Sequence, residues 1–187
     1  MMWVRPFAAM VLAVALTACS TEATPKPPAV SSPFADCAAL TAASPAVGRA
    51  ELPDLELACF TGGRAVRLVD LPRPAVINMW ASWCGPCRTE LPVIQDLAER
   101  TEGRLTVLAV DSGDRRDAAA SFAVDHAITM PTLFDPEKKL AGELGQASLP
   151  TTIFIDATGR RYVHRLPLDA AELARQAREH TGVTVTQ

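Results

Sequence analysis

The stretch AVINMWASWCGPCRTELP, residues 75–92, restricts the fold more than any other part of the chain. Its first six residues show no alternation of polar and apolar character, so they predict a strand buried on both faces. Leu91, Ile94, Leu97 and Ala98 then recur at helical spacing and predict a helix over 87–100, with Pro92 inside it as a site of kinking. Cys84 and Cys87 fall at the junction, separated only by Gly85 and Pro86. Two thiols in this spacing at the head of a helix can close a disulfide within one turn. The unpaired amides and dipole of the helix N-terminus favour the thiolate of the first. Cys84 is therefore the expected nucleophile and Cys87 the resolving thiol. Gly85 keeps the turn open, and Pro86 fits the first helical turn, where a missing amide hydrogen costs little.

A metal site would need two more soft ligands at suitable spacing. No second C-x-x-C exists, and His126, His164 and His180 are scattered, so no metal and no bound cofactor are expected. A purely structural bond between Cys84 and Cys87 is poorly motivated, because the loop it closes is very short. The net charge of −3 gives no basic surface for nucleic acid.

Further elements follow from composition and period. Phe34 to Pro45 reads as a short helix carrying Cys37. Asp54 to Ala58 and Ala65 to Leu68 flank Thr61-Gly62-Gly63 as a hairpin. Leu105 to Val110 reads as a second buried strand, Thr151 to Ile155 as a strand, and Thr132 to Phe134 as a short one. Helices are expected at Asp117 to Ala127, Glu137 to Leu144 and Ala170 to Thr181, and a strand at Arg161 to Leu166. Asp111-Ser112-Gly113-Asp114 reads as a loop and helix cap rather than a metal or phosphate loop. Alternating strands and helices imply an α/β fold on a central sheet. A chain of 187 residues is long enough for one such domain.

The N-terminal region has another character. Arg5 precedes the uncharged apolar run PFAAMVLAVALTA, residues 6–18, too short for the roughly 20 residues that span a bilayer. The run ends in Leu16-Thr17-Ala18-Cys19, which resembles the lipobox of bacterial lipoproteins. That resemblance implies a signal peptide over 1–18 and lipidation of Cys19. A plain secretory signal and an uncleaved anchor are the alternatives. Residues 19–33 are proline-rich and predict a tether, about 40 Å at full polyproline extension, ahead of a domain over 34–187. With Cys19 lipidated, four cysteines remain. Pairing Cys84 with Cys87 leaves Cys37 with Cys59, a structural disulfide suited to an oxidising compartment, or a second redox pair.

WCGPC after a buried strand resembles the thioredoxin active site. With Leu52-Pro53-Asp54 leading into a hairpin, LTVLAVDS, SLPTTIFIDATGR and the export signal, the chain resembles TlpA/ResA-type thiol–disulfide oxidoreductases from about Leu52 to His180. The resemblance implies a thioredoxin-like fold: a central mixed sheet flanked by helices, with an N-terminal β-hairpin and an inserted βα element. It implies that Pro150 is a cis-proline facing the cysteine pair, and that Trp83, Leu149, Pro150 and Thr151 line the surface for a substrate chain; Trp80 belongs to the core. It also implies reduction of disulfides in exported proteins, with apocytochrome c as one substrate. A membrane electron donor of the CcdA/DsbD type and a lipid anchor holding the domain outside the cytoplasm complete the picture. Oxidation of secreted thiols stays open as the opposite direction, and a copper metallochaperone as another class. The chaperone would want C-x-x-x-C and a distal histidine, which are not present. A peroxiredoxin would want an isolated cysteine in a threonine-rich pocket, which Ser82-Trp83-Cys84 does not supply.

Two positions depart from the resemblance. Thioredoxins often carry a buried acid six residues before the first cysteine, where this chain has Asn78. Some TlpA/ResA-type reductases draw a glutamate from the first hairpin, where Ala58 aligns. Glu90 is then the nearest acid in sequence, expected to face solvent as ordinary helix-surface charge.

Overall fold

The computed structural model of the protein describes residues 1–3, 32–42, 49–145 and 148–185. Cys19, the apolar run and most of the tether lie outside the described residues. Seven strands form one sheet: β1 (Glu56–Cys59), β2 (Ala65–Arg67), β3 (Ala75–Trp80), β4 (Thr106–Ser112), β5 (Thr132–Asp135), β6 (Thr151–Ile155) and β7 (Arg161–His164). Their spatial order is β2-β1-β5-β4-β3-β6-β7. β3, β4 and β5 run parallel, as helical crossovers require, while β6, β7, β1 and β2 add antiparallel edges. The helices are α1 (Ala38–Ala42), α2 (Gly85–Arg100), α3 (Arg116–Asp125), α4 (Lys139–Glu143) and α5 (Ala170–Thr181). β5 and α4 supply the inserted βα element.

β3 and β6 are buried along their whole length, which explains why neither alternates. The sheet separates two cores. On one face Val76, Trp80, Ala109 and Phe154 pack with Leu91 and Ile94 of α2, Phe122 of α3 and Leu173 of α5. On the other, Ile77, Met79, Val110 and Ile153 pack with Leu68, Leu71 and Leu140. The β1–β2 hairpin turns through Gly62 and Gly63, whose φ values of 75° and 70° suit glycine. Cys37 and Cys59 are joined by a disulfide between Cα atoms 5.9 Å apart, fully buried in the second core. No helix among the described residues is long and apolar enough to cross a membrane.

Candidate active site

Cys84 is the N-cap of α2, and Pro86 occupies its first turn. The Cys84 sulfur accepts the Cys87 amide hydrogen at 3.3 Å, so one orphan donor of the helix start is spent on that sulfur. The two cysteines are joined by a disulfide with Cα atoms 5.3 Å apart. Cys84 is 5% exposed and Cys87 1%, so both are buried and Cys84 is the less deeply so. α2 runs unbroken through Pro92 to Arg100.

Trp83, 59% exposed, forms a rim beside the pair. Its indole N–H donates to the Gly113 carbonyl at 3.0 Å, and the Lys138 ammonium lies 5.5 Å from the ring centroid. Trp80, three residues earlier, is fully buried. The Leu149–Pro150 bond is cis, and a second cis bond joins Arg73 to Pro74. Thr151 pairs with Met79 near the end of β3, which sets the Leu149–Pro150 loop at the level from which the chain runs on to Cys84. Leu149 is half-buried, packed against both cores, whereas Pro150 and Thr151 are buried and the Thr151 hydroxyl donates to the Ser148 carbonyl at 2.9 Å. Trp83 and Leu149 thus offer partly open apolar surface, while Pro150 and Thr151 offer mainly backbone.

Glu90 overturns one expectation. It does not face solvent but is 1% exposed beneath the sheet. The reason is the helical period itself: Glu90 lies three residues after Cys87 and joins Leu91 and Ile94 on the inward stripe. Its Oε1 accepts the Thr152 hydroxyl at 3.0 Å, and that hydroxyl accepts the Asn78 amide at 3.0 Å. No donor among the described residues meets its Oε2 at full hydrogen-bond geometry, although the Asn78 side chain and the Leu168 backbone lie close enough to act on the carboxyl. Burial pushes the carboxyl up from an ordinary 4.5 to about 7, against the opposing pull of Thr152 and Asn78. Asn78 is buried where thioredoxins place an acid, and the acid that reaches it here comes from the helix. Ala58 lies on an exposed position of β1.

The stretch Asp111-Ser112-Gly113-Asp114 also differs from expectation. Asp111 and Ser112 extend β4 and are buried, held by pairing with Phe134 and Asp135. The N-cap of α3 is Arg115, with no side-chain cap bond. Asp114 instead accepts the Ser82 amide at 2.5 Å and the Arg115 amide at 2.7 Å.

A mixed sheet whose central strand delivers a cysteine pair to the head of a helix, with a cis-proline loop at the same end of the sheet, defines a thioredoxin-like domain built for thiol chemistry. The chain belongs to the AhpC/TSA family, whose model matches residues 49–160. It is 37% identical over 127 residues to the thiol:disulfide interchange protein DsbE homolog of Paracoccus denitrificans, covering 65% of this chain and 63% of that one. It is 30% identical over 100 residues to the thiol-disulfide oxidoreductase ResA of Bacillus thuringiensis, covering 52% and 58%. The chain thus spans less than two thirds of the length of either relative. A crystal structure of a DsbF homologue from Corynebacterium diphtheriae superposes with a TM-score of 0.59 at 30% identity, covering 68% of this chain and 84% of that one. These relatives agree with the TlpA/ResA resemblance read from the motifs.

Proposed function

We propose that the protein is an extracytoplasmic thiol–disulfide oxidoreductase that reduces disulfides of other exported proteins. The observation that carries this reading is the Cys84–Cys87 pair at the start of α2 with a buried, easily protonated Glu90 three residues further along the same face. In the dithiol form, the Cys84 thiolate attacks one sulfur of a substrate disulfide. A Cys84–substrate mixed disulfide forms, and the displaced substrate sulfur leaves as a thiolate. Cys87 gives its proton to the Glu90 carboxylate, directly or through water, and attacks the Cys84 sulfur. The internal disulfide closes, the second substrate thiolate leaves, and two electrons have passed to the substrate. A membrane thiol donor of the CcdA/DsbD type restores the dithiol. Trp83, Leu149, Pro150 and Thr151 hold the substrate chain across the pair. Lipidation of Cys19 and the tether over 19–33 keep the domain, residues 34–187, at the outer surface of the membrane, with apocytochrome c as one substrate. The Cys37–Cys59 bond serves as a structural staple, a role its full burial supports.

The reduction potential of the Cys84–Cys87 pair, with Cys84→Ser as control, tests the direction of flow. A value near about −270 mV supports a reductant, and one near about −120 mV would reverse the assignment to an oxidant of secreted thiols. A Cys84→Ser protein that still reduced a model disulfide would sink the assignment of the nucleophile.

A further inference from the structure

The proton-handling groups near the cysteine pair do not end with Glu90. Asp111 is fully buried near the end of β4, in register with Trp80 on one side and Phe134 on the other. Neither of its carboxyl oxygens accepts a hydrogen bond from any donor among the described residues. The side chain within hydrogen-bonding reach is another carboxyl, that of Asp114. Asp114 in turn accepts the amides of Ser82 and Arg115. Two carboxyl groups that face each other without a donor are satisfied only when one of them carries a proton. Asp111 is the more deeply buried, so the proton belongs there.

The surrounding charges agree. Asp135, on β5, adds a negative charge while its own oxygens are committed to the amides of Lys139 and Leu140 at 2.8 and 3.0 Å. Arg116, on α3, opposes it, but its guanidinium donates to the Phe60 carbonyl at 2.7 Å and stacks on Phe60 and Phe134. Arg115 pairs with Asp117, and Lys138 lies over Trp83. Burial first, and the Asp114 carboxylate next, raise the Asp111 carboxyl to about 8.

We infer that Asp111 is a positioning residue: as a carboxylic acid it donates to the Asp114 carboxylate, and the pair grips the Ser82 amide and so sets Trp83 beside Cys84. The grip acts on both sides of the rim, because Asp114 holds the residue before Trp83 while the adjacent Gly113 carbonyl holds its indole. When Asp111 ionises, two carboxylates confront each other in a dry site, and the turn carrying Trp83 loosens. This inference rests on the exchange reading only for its bearing on rate.

The test uses the full-length oxidised protein, so that no active-site thiol titrates. Trp83 fluorescence is followed from pH 5 to 10, with Trp83→Phe assigning the signal among the three tryptophans. The wild type should show a transition near pH 8 that Asp111→Asn abolishes, since the amide donates the same bond and cannot ionise. Asp111→Ala, with no donor, should show the loosened signal already at pH 7. An alkaline transition that survives Asp111→Asn overturns the inference. Carbon-13 titration of the wild-type aspartate carboxyls keeps the proposal decidable even if a variant misfolds, because an Asp111 carboxyl ionised at pH 7 also overturns it. Both readouts are made without substrate, so they stand apart from the exchange reading, which fails only if the dithiol does not reduce disulfides.

Discussion

Glu90→Gln should remove a pH dependence of stability that the wild type carries between pH 4 and pH 8. The carboxyl titrates at 4.5 when unfolded and at about 7 in place. Below pH 4.5 both states hold the proton. As the pH rises from there to 7, the unfolded chain releases it while the folded chain keeps it, so the native state loses ground. Above pH 7 the loss is complete. At 1.36 kcal/mol per pKa unit, the shift corresponds to about 3 kcal/mol. The group is almost wholly buried, so solvent screening takes little from this figure. Glutamine keeps the shape and the Thr152 bond and cannot titrate. Urea unfolding of both oxidised proteins at a series of pH values gives the difference curve, with equal m-values as the check that like is compared with like. The stability of wild type minus variant should fall by about 3 kcal/mol from pH 4 to pH 8. A flat difference, or one that rises with pH, would refute the placement of Glu90 in a dry site.

Glu90→Gln should also slow disulfide exchange at pH 7 by about 100-fold, the low end of what a positioned proton acceptor supplies, measured by single-turnover kinetics. Cys87→Ser should trap the Cys84–substrate mixed disulfide, detectable by non-reducing mass spectrometry; a freely released substrate would contradict the proposed order of attack. Replacing both Cys37 and Cys59 by alanine opens a loop closed across 22 residues and should cost about 3 kcal/mol in urea unfolding. Gly159→Ala should destabilise by more than about 1 kcal/mol in the same assay, because φ is +96° and the new methyl would lie 3.0 Å from the Arg49 carbonyl oxygen.

Much of this architecture was legible in the chain. β3 announced itself as a continuous apolar run, β6 as a short β-branched and aromatic one, and the C-G-P-C spacing marked the first turn of α2. Two residues escaped for opposite reasons. Glu90 shares the period of Cys87, Leu91 and Ile94, yet its charge argued for the surface; only tertiary context, with Asn78 and Thr152 waiting on adjacent strands, makes burial tolerable. Asp111 sits in a polar run that reads as a turn, but pairing with Phe134 prolongs β4 by two residues beyond Val110. Strand order was beyond local pattern altogether. Nothing in the period of β5 says that it lies between β1 and β4.

The Cys37–Cys59 bond also decides where a pull on the N-terminal side would be felt. Upstream of Cys37, the Ala35 amide is tied to the Thr129 carbonyl at 2.7 Å, a contact that tension can break. The load then passes through a covalent bond directly into Cys59, at the inner end of β1, where the strand is clasped by β5 and β2. The segment between the two cysteines, α1 included, is bypassed and carries no force. A domain dragged at the end of a leash would therefore be gripped at its sheet rather than unravelled from its first helix, and its cysteine pair, three strands away, would stay undisturbed.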